Sequence, residues 1–125
     1  MQMTRRDLKA LFVRKANLFN SEQALTALKE TLANLGVSDE ESRIDRDIAA
    51  LEEKITHERG VIADQEAKAR ETLKPIEDDV ARIGAMLHYC EGMPWEVAAS
   101  VLRQVSGNSV RQAAYRGMKT VGIMK

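Results

Sequence analysis

The sequence predicts an all-α protein: a long antiparallel helical hairpin, coiled-coil-like, followed by a small C-terminal helix-turn-helix. Three observations lead there. Leu11, Leu18, Leu25 and Leu32 fall seven residues apart, with Leu28 and Leu35 at intermediate positions, which is the spacing of a coiled-coil seam. A second apolar series steps by fours and threes from Ile44 to Leu87, the period of one helical face. The chain has only two prolines and few aromatic residues, so aliphatic side chains on helices must supply the packing.

The first element is a helix over Thr4 to Leu35. Asn20 or Ser21 could cap a fresh helix with Gln23 reaching back, but the heptad phase is kept across them, so one continuous helix is expected. Phe12 and Phe19 widen its apolar stripe. Gly36 sits where a helix stops. Ser38 and Glu41 form a capping box, and Asp39, Glu40 and Glu41 place negative charge at the positive end of the next helix dipole.

The second helix carries Ile44, Ile48, Leu51, Ile55, Ile62, Ala69, Leu73 and Ile76 on one face, interrupted only by Glu58 and Glu66. Asp64 with Lys68, and Glu66 with Arg70, have the four-residue spacing that supports an exposed helix. Pro75 should kink the helix or end it in a tight junction. Reflection about the turn pairs residues whose numbers sum to roughly 73, as expected for an antiparallel hairpin. Glu58 then faces Lys15 with Arg14 beside it, and Glu66 lies near Asp7 and Arg6.

Such a hairpin is about 45 Å long and buries a thin core. Phe12, Phe19, Ala49 and Ala50 are therefore expected to seek a second copy, giving a homodimer built as a four-helix bundle. The competing arrangement is a monomer whose C-terminal helices fold back on the hairpin. Residues 1–74 form the arm in this reading, and residues 75–125 the helix-turn-helix.

In the C-terminal part, Gly92 ends one helix and Pro94 opens the next. Ala98, Ala99, Val101 and Leu102 are expected to fill one face of that short helix, with Trp95 anchoring it in the core. Asn108 or Ser109 can cap a last helix, on which Val110, Ala114, Met118 and Val121 make an apolar stripe. The opposite face offers Asn108, Ser109, Arg111, Gln112, Tyr115, Arg116 and Lys119. No acid follows Glu96, whereas Arg103, Arg111, Arg116, Lys119 and Lys125 do. A short helix, a turn and such a second helix suit a DNA groove. Arg103, Arg116 and Lys119 would hold phosphates. Arg111, Gln112, Asn108 and Tyr115 would face base edges.

Over roughly its last third, the chain resembles the helix-turn-helix of the fourth, promoter-binding region of bacterial sigma factors. The shared features are an apolar helix ending in Glu91-Gly92, the Trp95-Glu96 entry, an alanine-containing helix, and a final helix with Ser109-Val110-Arg111 and Tyr115-Arg116-Gly117-Met118-Lys119. With a long helical segment in front, it is similar to small phage-encoded late-transcription activators of the RinA and ArpU kind. Where those turns carry glycine, Arg103 stands, and the turn is one residue longer. The resemblance implies a double-stranded DNA partner, and RNA polymerase as a second.

Charge supports this division. Net charge is zero, but residues 1–37 carry +3, residues 38–80 carry −7 and residues 81–125 carry +4. An acidic middle followed by a basic end is more informative than the average. His88 and Cys90 point in different directions on a helix and His57 is distant, too few ligands for a metal site. Glu77, Asp78 and Asp79 have no nucleophile or phosphate loop beside them. No cofactor and no enzymatic activity are therefore expected. With no signal peptide, no membrane-length apolar run and a lone cysteine, a cytoplasmic location is expected.

Two other functions compete with DNA binding. One is a coiled-coil adaptor or inhibitor working through protein contacts alone, its acidic section the contact surface. RNA binding fits less well, because stacking aromatics are scarce.

Overall fold

The structure is a computed structural model. It describes residues 3–34 and 39–123, the first four of the second segment through their backbone alone. It is all-α, with no strand among the described residues. Two long helices, α1 (Arg5–Asn34) and α2 (Asp39–Leu73), pack along each other as an antiparallel hairpin. Three short helices follow: α3 (Asp79–Ala85), α4 (Trp95–Leu102) and α5 (Gly107–Thr120). The expected turn at Gly36 and the capping box of Ser38 and Glu41 lie outside the described residues.

Helix α1 runs unbroken through Asn20. It starts with a reciprocal capping box: the Asp7 N–H donates to Thr4 Oγ1 at 3.2 Å, and the Thr4 N–H to Asp7 Oδ2 at 2.9 Å. Two free backbone donors are satisfied at once, and these bonds hold the Asp7 carboxyl below its ordinary pKa. Leu8 and Leu11 are fully buried, whereas Leu18, Leu25, Leu28 and Leu32 are half-buried. The α1 leucines are thus covered best near the hairpin base, while on α2 Ile48, Ile55 and Ile62 stay buried along the seam.

The polar interruptions of α2 find cations on α1. Glu58 meets Arg14 at 3.8 Å, the neighbour of the Lys15 that the reflected register set opposite it. Glu66 does not reach Arg6, nor does it pair with Arg70. It binds Lys15, whose ammonium also donates to the Cys90 carbonyl. Arg70 turns instead to Glu91. Sequence spacing favoured contacts within α2, but the docked C-terminal unit supplies carbonyl and carboxylate partners that the hairpin alone lacks.

Pro75 gives a break rather than a kink. Helix α2 stops at Leu73, and Asp78 starts α3 by accepting from the Ala81 N–H at 2.9 Å. Helix α3 then widens into a π-helical turn over Met86–Cys90, with the Glu91 N–H returning to the Met86 carbonyl at 3.1 Å. Gly92, at φ +74°, stops it as expected.

The main core crosses the boundary placed at residue 74. Leu8, Leu11, Ile62, Ala69 and Leu73 of the hairpin share one buried cluster with Ile76, Ala81, Ala85, Tyr89, Ala114 and Met118. Phe12, expected to seek a second copy, packs within this one. Its ring stacks on His88 at 4.2 Å between centroids, and Trp95 stacks on the other face of the same imidazole at 3.8 Å. Burial lowers the His88 pKa, which favours the neutral ring, while Nδ1 lies 2.7 Å from the Met93 carbonyl. Phe19, Ala49 and Ala50 remain exposed.

Candidate nucleic-acid interface

Helix α4 opens directly after Pro94 and buries Ala98 and Ala99. Val101 departs from expectation: it is 56% exposed, in line with the exposed Val97 one turn earlier. The four apolar residues span too wide an arc for one short helix to bury them all. The turn after α4 is a Schellman motif. The Gln104 N–H bonds the Ala99 carbonyl at 2.9 Å, and the Arg103 N–H bonds the Ser100 carbonyl at 3.3 Å. Arg103 holds the left-handed position at φ 55°, ψ 43°.

An L-residue with a Cβ pays roughly 1 kcal/mol or more for that conformation. Arg103→Gly should therefore raise stability by about 0.5–1 kcal/mol. The check is the urea midpoint: a lower midpoint would mean that the Arg103 side chain contributes more than its backbone costs.

The cap of α5 is Ser106, not Asn108 or Ser109. Its hydroxyl accepts from the Ser109 N–H at 3.1 Å, and its backbone is extended. Gly107 begins the helix because nothing larger fits. A Cβ there would stand 2.7 Å from the Glu96 backbone nitrogen. Glu96 Oε1 accepts from the Gly107 N–H at 2.9 Å, placing a carboxylate at the positive end of the α5 dipole. At the other end, Gly122 (φ +82°) closes a second Schellman turn, with the Ile123 N–H on the Met118 carbonyl at 2.8 Å. Ile123 tucks into the core beside it.

Between these caps, Val110, Ala114 and Met118 are fully buried and Val121 is half-buried. Burial of the valine and methionine is worth about 1.5–3 kcal/mol each, which fixes the rotation of α5. At roughly 100° per residue, Asn108, Gln112, Arg116 and Lys119 then stand opposite the buried stripe. All four are exposed, as are Ser109, Arg111 and Arg103. Arg111 donates to Asn108 Oδ1. Helix α5 contains no acidic residue.

Tyr115 is placed differently from the rest. It is half-buried on one flank of α5, edge-on to Trp95 at 6.3 Å, and its hydroxyl accepts from Arg5 Nη2 at 3.2 Å. Arg116 borders a cleft that Glu77 and Asp78 also line. Behind α5, burial pushes the Tyr89 phenol up to about 12 and the Cys90 thiol up to about 11. Both therefore stay protonated near neutrality, as packing groups.

The arrangement can accept an anionic partner through the guanidinium and ammonium groups, and can offer paired donors and acceptors through Gln112 and Asn108. Comparison with family models, characterised proteins and solved structures gives no match for this chain. Among the described residues, no helix is long and apolar enough to cross a membrane.

Proposed function

We propose that this chain is a sequence-specific, double-stranded DNA-binding regulator of transcription. It acts in the cytoplasm of a bacterial or phage-infected cell, without catalysis. The observation that carries the reading is α5 itself. Its apolar stripe is buried against α3 and α4, leaving Asn108, Gln112, Arg111, Arg116 and Lys119 in water with no carboxylate on the helix. That is the disposition a recognition helix needs in a major groove.

Homodimerisation through the arm belongs to the same proposal, with Phe19, Ala49 and Ala50 as its surface. The half-buried Leu25, Leu28, Leu32, Ile44 and Leu51 support it, since a two-helix seam leaves apolar area that a second hairpin would cover. The sigma-factor resemblance adds RNA polymerase as a partner. An adaptor working through protein contacts alone is the second reading, favoured by Val101 and Val105, the latter 98% exposed.

Selection of bound duplexes from a random pool, followed by titration at several salt concentrations, separates the two. The DNA reading expects enrichment of a defined site and an affinity that falls steeply with salt as counterions are released. Arg116→Ala should weaken all duplexes alike and reduce the salt slope by about 0.9. Gln112→Ala should instead relax preference at one or two positions, by about 1–3 kcal/mol. If no duplex is retained at low salt and a host protein co-purifies, the adaptor stands.

A further inference from the structure

Helix α1 brings a cation to α5 from the far end of the sequence. The Arg5 guanidinium lies over the Tyr115 ring, 4.6 Å from its centroid, and Arg111 lies 5.9 Å from the same centroid. Arg5 donates one N–H to the Tyr115 hydroxyl. A guanidinium carries five donors, and this one is exposed. Among the described residues, neither arginine has a carboxylate within ion-pair reach. Asp7, the acid nearest Arg5 in sequence, is engaged in the capping box. It leaves α1 on a different side, since two residues turn a helix by roughly 200°.

We infer that Arg5 and Arg111, gathered around Tyr115, form a phosphate clamp, so that the start of the arm is part of the DNA-contacting surface. The inference rests on the DNA-binding reading and deepens it. Two guanidinium groups within 6 Å of one ring concentrate positive charge beside α5, and a backbone phosphate is the anion a duplex presents there. Tyr115 acts as the platform. Cation–π contact and its hydroxyl hold the Arg5 side chain in place before DNA arrives, lowering the ordering cost on binding. Lys9, one turn along α1 and exposed, continues the same positive face. The Arg116 flank, shared with Glu77 and Asp78, has no such unbroken run of cations.

The test uses the full chain and a duplex of about two helical turns carrying the selected site, with an unrelated duplex of equal length beside it. Arg5→Ala is expected to lower affinity for both duplexes by a similar factor, about five- to tenfold at low salt. The salt slope should fall by about 0.9, one phosphate's share. Arg5→Lys keeps the charge and should keep the slope. Arg59→Ala, which removes an exposed cation paired with Glu22 on the hairpin, should change neither quantity. Urea midpoints for each variant report folding separately. The clamp is overturned if Arg5→Ala leaves the slope intact, or if Arg5→Lys loses as much affinity as Arg5→Ala with the slope unchanged, which is the mark of a purely structural contact. Failure of the parent chain to bind either duplex at low salt overturns the DNA-binding reading, and the clamp with it. Parent binding with an indifferent Arg5→Ala removes the clamp alone.

Discussion

Alanine at Gly107 is expected to destabilise this protein by about 1–3 kcal/mol, although in an unobstructed helix the same exchange gains up to about 1 kcal/mol. The sign is set by the crossing of α4 and α5. An added Cβ would stand 2.6 Å from Glu96 Oε1 and 2.7 Å from the Glu96 backbone nitrogen. The carboxylate could swing aside, but the Gly107 N–H would then lose its acceptor. The backbone nitrogen has no such freedom, so α4 itself must move. The same displacement shifts α5 against the turn that positions it, so on the DNA-binding proposal duplex affinity should fall with stability. Urea denaturation of the variant decides it: a rise in midpoint would mean that the two helices have room to spare at this crossing.

Trp95→Ala should cost more, about 3 kcal/mol, the lower end of the range for truncating a large aromatic because Trp95 is only half-buried. Its indole closes a stack that begins on α1 with Phe12 and passes through His88. It also meets Tyr89 and Tyr115 edge-on, at 5.7 and 6.3 Å. Removing it opens a gap where α1, the π-helical turn, α4 and α5 meet. Because Phe12 and Trp95 sandwich the same imidazole, their truncations should be non-additive by about 0.5 kcal/mol or more. Chemical denaturation of both single variants and the double variant measures this. A loss below about 1 kcal/mol for Trp95→Ala, or strict additivity with Phe12→Ala, would show that the stack is geometry without energetic weight.

Much of this architecture is legible in the chain because it follows from local period and local stops. The seven-residue leucine spacing places α1, and the Val110, Ala114 and Met118 stripe fixes which side of α5 is buried. Gly92 and Pro75 end helices for backbone reasons that need no tertiary partner. What could not be read depends on contacts between distant residues. Ser106 displaces Asn108 and Ser109 as cap because Gly107 is required beneath Glu96, and capping chemistry alone ranks the three similarly. No spacing rule puts Phe12 against His88, 76 residues away, where its ring stacks. Arg5 is separated from Tyr115 by 110 residues, and no spacing rule links them. The π-helical turn has no propensity signature at all, since it is a matter of how the helix end is held rather than of which residues compose it.

The shared stack of Phe12, His88 and Trp95 ties the arm to the head formed by the C-terminal helices. On the DNA-binding proposal, with two molecules joined arm to arm, that stack would fix the rotational setting of α5 relative to the long axis of the hairpin, and the pair would behave as calipers with a locked jaw. Half-sites moved by a full turn of about 10.5 base pairs return to the same side of the duplex, whereas a half-turn offset faces the second head with the wrong side of the cylinder. Operator phasing would then be enforced by three aromatic rings, none of which needs to touch a base.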